Sequence, residues 1–130
     1  MTEEARINPW AAIIGPCYTA SSLARTLGWN EALIVEAAAS HHVLELETSD
    51  GRLLYPAFQV WDGRVVDGLG AVLHALSAGT SSRWTWAQWL NTATDDDSGE
   101  NAPSAIEQLR AGQLDIVLCD ARHAAAAWSA

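Results

Sequence analysis

The chain contains no lysine; all seven basic residues are arginine, set against sixteen acidic ones, for a formal net charge of −9. Neutralisation of phosphates by Lys and Arg dominates affinity for nucleic acid. A chain this acidic binds DNA well only if its few arginines gather on one face, and a basic protein partner suits it better. The absence of lysine itself points to a GC-rich coding sequence rather than to a mechanism. Only two cysteines occur, Cys17 and Cys119, far apart and without ligand spacing. That excludes a disulfide framework or a Cys-based metal quartet and leaves buried thiols as the expectation. No apolar run is long enough to span a bilayer, and no charged-then-apolar leader opens the chain. A soluble cytoplasmic protein is expected. Gly-rich phosphate loops, metal-ligand quartets and nucleophile elbows are also missing, so neither an enzyme nor a cofactor is expected.

What is present is apolar mass: 49% hydrophobic residues, much of it alanine together with seven tryptophans. At 130 residues this makes one domain, or two small units sharing a core. The first eight residues are polar and acidic. Pro9 to Ile14 reads as a short helix or strand, stopped by Gly15-Pro16.

Thr19 to Leu27 has helical spacing, with Thr19 as cap and Gly28 as terminator. A second helix starts from Asn30 as N-cap and runs to about Ser40, with Leu33, Ile34 and Ala37 inward. Leu23, Leu27 and Trp29 fill the angle between the two. Two short helices joined by a turn containing glycine form a helix-turn-helix arrangement. Val43 to Glu47 alternates as a strand, Ser49-Asp50-Gly51 turns, and Arg52 to Tyr55 returns, which is the order of a winged helix-turn-helix. The stretch Leu53 to Trp61 reads as one strand closed by Asp62-Gly63, with Pro56 arguing for an edge strand or a kinked exit from a sheet. Val65-Val66 is a candidate third strand.

Beyond Gly68 the period is helical again. Leu69, Val72, Leu73 and Leu76 form one stripe, and Trp84 to Leu90 a second helix capped by Ser82. A polar loop from Thr94 to Asn101 follows. Pro103 is placed in the first turn of a helix ending at Arg110, and Gln113 to about Trp128 is the closing helix. The fold expected is mainly α with a small hairpin or three-stranded wing: a winged helix-turn-helix followed by a small helical bundle. Its parts are an arm (1–16), the winged unit (17–66) and the helical unit (67–130), packed as one globule.

The order Thr19…Leu23-Ala24…Leu27-Gly28-Trp29, hairpin, Tyr55-Pro56-Ala57-Phe58-Gln59 resembles small proteins in which a helix-turn-helix is fused to a toxin-binding helical domain. These are antitoxins of the Xre/MbcA/ParS type. The second half is similar to that domain in Trp86…Trp89-Leu90-Asn91-Thr92, Pro103, Leu109 and Arg110-Ala111-Gly112. The layout also resembles mycobacterial winged helix-turn-helix DNA-binding proteins of similar size. The resemblance spans roughly Cys17 to Trp128. It implies a regulator that neutralises a cognate toxin, commonly a RES-domain enzyme that consumes NAD, and often represses its own operon. This chain departs from the pattern twice. The family's leucine-glycine-glycine before the proline is replaced by the acidic Asp95-Asp96-Asp97-Ser98-Gly99-Glu100. The expected recognition helix has no Arg or Lys between Asn30 and Ser40, and Glu31 and Glu36 repel phosphates.

Candidate DNA contacts are Arg25 on the first helix and Arg52 on the wing, with Ser21, Ser22 and Asn30 nearby in sequence; the same residues also read as ordinary surface positions. Thr26 is in the same class. Candidate partner contacts are Trp86 and Trp89, three apart on one helix face, Asp95, Asp96 and Asp97 in the acidic loop, and Arg122 and Trp128 on the last helix. Trp84 points elsewhere. The acidic run lacks the alternation and closing Glu of a calcium loop, so no metal is expected. His41-His42 ends a helix, where imidazolium would favour the dipole. Asp120 and His123 could hydrogen-bond, with Cys119 in the core. The expected function is a non-catalytic antitoxin-like regulator gripping a protein through its C-terminal helices, with operator DNA as a further partner and a homodimer compatible with both. The alternative is an autonomous winged helix-turn-helix transcription regulator.

Overall fold

The structure is a computed structural model that describes residues 15–92 and 103–129. The elements expected at 9–14 and the acidic loop with Asp95, Asp96 and Asp97 lie outside the described residues. Among those described are six helices and small antiparallel sheets, the winged helix plus helical bundle expected.

The winged unit runs β1 (Cys17–Tyr18), α1 (Ala20–Leu27), α2 (Glu31–Ala39), β2 (Leu46–Glu47) and β3 (Leu53–Pro56). Helix α1 starts where Thr19 and Ser22 form a capping box, each side chain accepting from the other's backbone N–H. It stops at Gly28, whose φ of 74° is left-handed. Asn30 starts α2 by accepting the Leu33 amide at 2.8 Å. The wing tip is pinned by Thr48, whose hydroxyl accepts the Arg52 amide and donates to Asp50.

Three strand expectations are corrected. The strand at Val43 to Glu47 shrinks to Leu46–Glu47. The stretch from Leu53 to Trp61 is not one strand: it breaks at Pro56 into a 3₁₀ turn (Ala57–Gln59) and resumes as β4 (Val60–Trp61). Of the two positions Pro56 allowed, an edge strand or a kinked exit from a sheet, the kinked exit is found and β3 is not an edge strand. It is central in the order β1-β3-β2, with Tyr18 opposite Tyr55 and Leu46 opposite Leu54. Pro56 fits because it is the last residue of β3, where the ladder ends and the missing donor leaves nothing unpaired; the next amide, Ala57, donates to Pro16 O at 2.9 Å. The third strand of the wing sheet is β1. Residues Arg64–Val65 (β5) instead pair with β4 in a separate hairpin, closed by Asp62 and Gly63, both at positive φ, as a two-residue mirror-image turn requires.

Helices α3 (Leu69–Ser77), α4 (Arg83–Asn91), α5 (Ala105–Arg110) and α6 (Leu114–Ser129) form the bundle. Ser82 caps α4. Pro103 lies before α5 rather than in its first turn, because Ser104 and Glu107 form a capping box that sets the start at Ala105.

Two apolar cores flank the wing sheet. The smaller joins Leu23, Ala24, Ile34, Ala38, Val43 and Tyr55. The larger gathers the α3 stripe, Trp86, Leu90, Ile106, Val117 and Ala121, and it also takes Leu44 and Leu46 from the winged unit. The adjacent residues Val43 and Leu44 thus serve different cores. Arg110 ties the β4–β5 hairpin to the bundle: it donates to Phe58 O at 2.7 Å and lies over the Trp61 ring at 5.0 Å. On α2 the inward positions are Ile34 and Ala38, with Ala37 half-buried; Leu33 is 45% exposed and Trp29 37% exposed. Of the three inward positions expected, Ile34 is buried and Ala37 half-buried against the smaller core, while Leu33 faces outward and Ala38 is buried instead.

Candidate interaction surfaces

The sequence-derived DNA contacts sit on separate elements. Arg25 and Ser21 are exposed one turn apart on α1, Asn30 is at the start of α2, and Arg52 is on the wing. No hydrogen bond or ion pair among the described residues links them. Two have local roles: the Ser22 hydroxyl belongs to the α1 capping box, and the Asn30 carbonyl oxygen caps α2. Thr26 donates to Ser22 O. Of the remaining arginines, Arg83 pairs with Glu45 at 3.4 Å and Arg64 with Asp67 at 3.7 Å, while Arg110 holds the hairpin. Arg122 is exposed on α6.

Among the tryptophans, Trp86 is 2% exposed and donates its indole N–H to Thr80 O at 3.0 Å. It is a core residue, which corrects its candidacy as a surface anchor. Trp89, Trp84 and Trp128 are half-buried and pack against the same core; Trp84 donates to Glu47 O and so joins α4 to the wing sheet. The large apolar side chains that are exposed stand elsewhere: Trp29, Leu33, Val35, Leu53, Trp61 and Ile116. Sequence reasoning placed Leu33 and Trp29 inside and did not single out the others as surface residues.

A polar cluster that no local pattern announces joins the two units. Tyr55, fully buried, donates its hydroxyl to Glu45 at 2.7 Å, and Glu45 in turn pairs with Arg83 on α4. Burial, and then the neighbouring Glu45 carboxylate, push the Tyr55 phenol above its ordinary range. The phenol is therefore a fixed donor at neutral pH and has no acid–base role there.

His41 closes the same junction. It has a left-handed φ of 65° and meets the Trp86 ring edge-on at 5.4 Å, with His74 at 6.4 Å. Its buried Nδ1 has no hydrogen-bond partner among the described residues. Burial, then Arg83, His74 and His42, lower its pKa. At His41 that runs against the expectation of a dipole-stabilised imidazolium: desolvation first, then the neighbouring Arg83, disfavour the charged ring. A folded pKa below the unfolded one favours the neutral ring. Its contribution is thus present above the ordinary imidazole pKa of about 6.5 and lost as pH falls. The urea midpoint is expected to drop between about pH 7 and 5, and His41→Asn, which tolerates the backbone, should flatten that slope. An unchanged slope in the variant would place the titration elsewhere.

Among the described residues no group of three His, Cys, Asp or Glu can hold a metal. Both cysteines are free; Cys17 is half-buried with a thiol pushed up by burial, while Cys119 is exposed rather than in the core. No hydrogen bond joins Asp120 to His123. No helix among the described residues is long and apolar enough to cross a membrane.

The class this architecture defines is a winged helix-turn-helix unit joined to a small helical bundle. The solved NMR structure of Rv2175c has the same fold, with a TM-score of 0.68 over 85% of this chain and 81% of that one, at 23% sequence identity. No protein-family model matches the chain, and no curated protein matches it.

Proposed function

We propose that this protein is a non-catalytic regulator that works by holding a partner protein, as the antitoxin-like proteins its sequence resembles do. The partner class is a toxin enzyme, of the RES type that the resemblance implies. The contact lies on the C-terminal helices, where Ile116 is 49% exposed and Arg122 is exposed about 1.7 turns further along α6. The observation that supports this reading over autonomous DNA binding is the charge of α2. The helix that would enter a major groove carries Glu31 and Glu36 and no cation, whereas groove-reading helices bring donors and positive charge to bases and phosphates.

The test is co-expression of the tagged chain with the product of the adjacent reading frame. A stable complex and loss of that product's toxicity are expected, and Ile116→Asp with Arg122→Glu should release it. Both side chains are surface ones, so stability should change by less than about 0.5 kcal/mol. A harmless neighbour that does not co-purify would sink the antitoxin reading. A second reading, contact with operator DNA, is favoured by Arg25 and Arg52 alone, exposed and in no ion pair among the described residues. It is checked by fluorescence anisotropy on upstream DNA. There, Arg25→Ala or Arg52→Ala should each lower the salt slope by about one unit if both touch phosphates.

A further inference from the structure

Helix α2 reads Glu31-Ala-Leu-Ile-Val-Glu-Ala-Ala-Ala39. Only Ile34 and Ala38 are buried in the winged unit. Leu33 and Val35 are 45% and 57% exposed, and Ala32 and Ala39 are exposed as well. A helix that is apolar on every side is normally covered on every side. Here the core covers one side and nothing in the chain's described residues covers the other. Beside this helix runs a groove of about 490 Å³ lined by Trp29, Leu33, Glu36, Ala37, Ser40 and His42. Leu33 and Ala37, four apart, share its long side, and Trp29 and His42 stand at its two ends. At about 1.5 Å per residue the helix is about 14 Å long, room for two to three turns of another helix.

The charges around the groove decide what fits it. Glu31 and Glu36 are the two charged residues on α2, and the chain as a whole carries −9. A second copy would bring the same two carboxylates and the same net charge against them, with no arginine on its own α2 to neutralise either. Nucleic acid is repelled for the same reason. We propose that the exposed face of α2 is a docking surface for an amphipathic helix of another protein, one with leucine-sized side chains at i, i+3 or i+4 and lysine or arginine on its flanks. The inference deepens the protein-binding reading above by giving the winged unit its own contact, separate from Ile116 and Arg122 on α6. The acidic helix of the helix-turn-helix is then a protein-recognition helix in the place of a base-reading one.

The probe is an amphipathic peptide of leucine and lysine alone, about four turns long, titrated into the full chain and followed by amide shifts. Shifts concentrated on Trp29, α2 and His42 are expected, with Leu33→Asp weakening binding by about tenfold or more. Leu33→Ser is the milder second variant should Leu33→Asp perturb folding. The same peptide with glutamate for lysine should not bind. Shifts spread over the acidic surface and indifferent to Leu33→Asp and Leu33→Ser overturn the proposal, as does binding of the glutamate peptide. Self-association of the chain that Leu33→Asp abolishes overturns it too, in favour of a second copy. Binding centred on Ile116 overturns it while leaving the α6 contact intact, and loss of the α6 complex with α2 binding retained does the reverse.

Discussion

Gly79→Ala is expected to lower stability by about 3 kcal/mol or more, and the melting temperature by on the order of 10 °C. A Cβ on Gly79 would stand 2.5 Å from the Ala125 Cα and 2.5 Å from the Ala125 carbonyl oxygen, distances that no side-chain rotamer can relieve because both atoms are backbone. Gly79 is where the chain leaves α3 and passes under α6; its N–H donates to Leu76 O at 3.0 Å. Displacing α6 to admit a methyl group lifts Val117 and Ala121 from Leu69, Val72, Leu73 and Leu76, the centre of the larger core. Ala125→Gly should not rescue the variant, since the obstruction is not the Ala125 side chain. Urea denaturation of both variants and the pair checks this. Ordinarily glycine to alanine near a helix end is neutral or favourable by a few tenths to about 1 kcal/mol, so a small or stabilising effect would show that α3 and α6 do not cross as closely as described.

How much of this was legible beforehand depends on the range of the interaction. The α3 stripe was readable because its apolar residues recur at one helical spacing with polar residues between them. The caps Thr19, Asn30 and Ser82 were readable because capping acts over three residues. Helix α2 was readable as a helix but not as to its buried face: with seven apolar residues in nine, the pattern has no contrast, and Leu33 and Ala37 fit as well as Ile34 and Ala38. Strand β1 is two residues long, too short for any alternation to register. The break after Pro56 was partly legible, since proline allows a kinked exit from a sheet; Phe58, Val60 and Trp61 favour strands, and the 3₁₀ turn that interrupts them is held by the Gln59 contacts to Leu44 and Pro56. The candidate contacts were least legible. That Ser22 and Asn30 cap helices was half visible in sequence. That Trp86 lies inside, that Arg83 answers Glu45, and that Tyr55 reaches Glu45 involve partners many residues apart, and they leave no local signature. Charge, by contrast, survives folding unchanged: the absence of cations from residues 30–40 says the same thing in the sequence and on the surface.

Gln59→Leu is the second substitution expected to act strongly, at about 3–5 kcal/mol. Gln59 is fully buried. Its amide nitrogen donates to Leu44 O and to Pro56 O, both at 3.0 Å, and its carbonyl oxygen accepts the Leu44 amide at 2.8 Å. The side chain thus does for Leu44 what a neighbouring strand would do, and Leu44 lies outside any ladder with its amide and carbonyl both paired. Leucine of similar volume leaves three buried backbone groups unpaired at about 1–3 kcal/mol each, offset in part by its apolar surface. Gln59→Glu is the sharper variant. Ionised, it turns a carboxylate oxygen toward two carbonyl oxygens, which raises its folded pKa; protonated, it regains one donor. Its stability should therefore be greater at low pH and fall as pH rises through that raised pKa, opposite in direction to the His41 dependence of the parent. Because Val43 packs in the smaller core and Leu44 in the larger, loosening this segment should weaken both, and Gln59→Leu should melt in one transition lower than the parent. Two separated transitions in its urea or thermal curve would mean that the winged unit and the bundle fold independently, with Gln59 serving only the seam. Loss of less than about 0.5 kcal/mol would mean that water or backbone movement replaces all three hydrogen bonds, and that the segment around Pro56 does not weld the two units together.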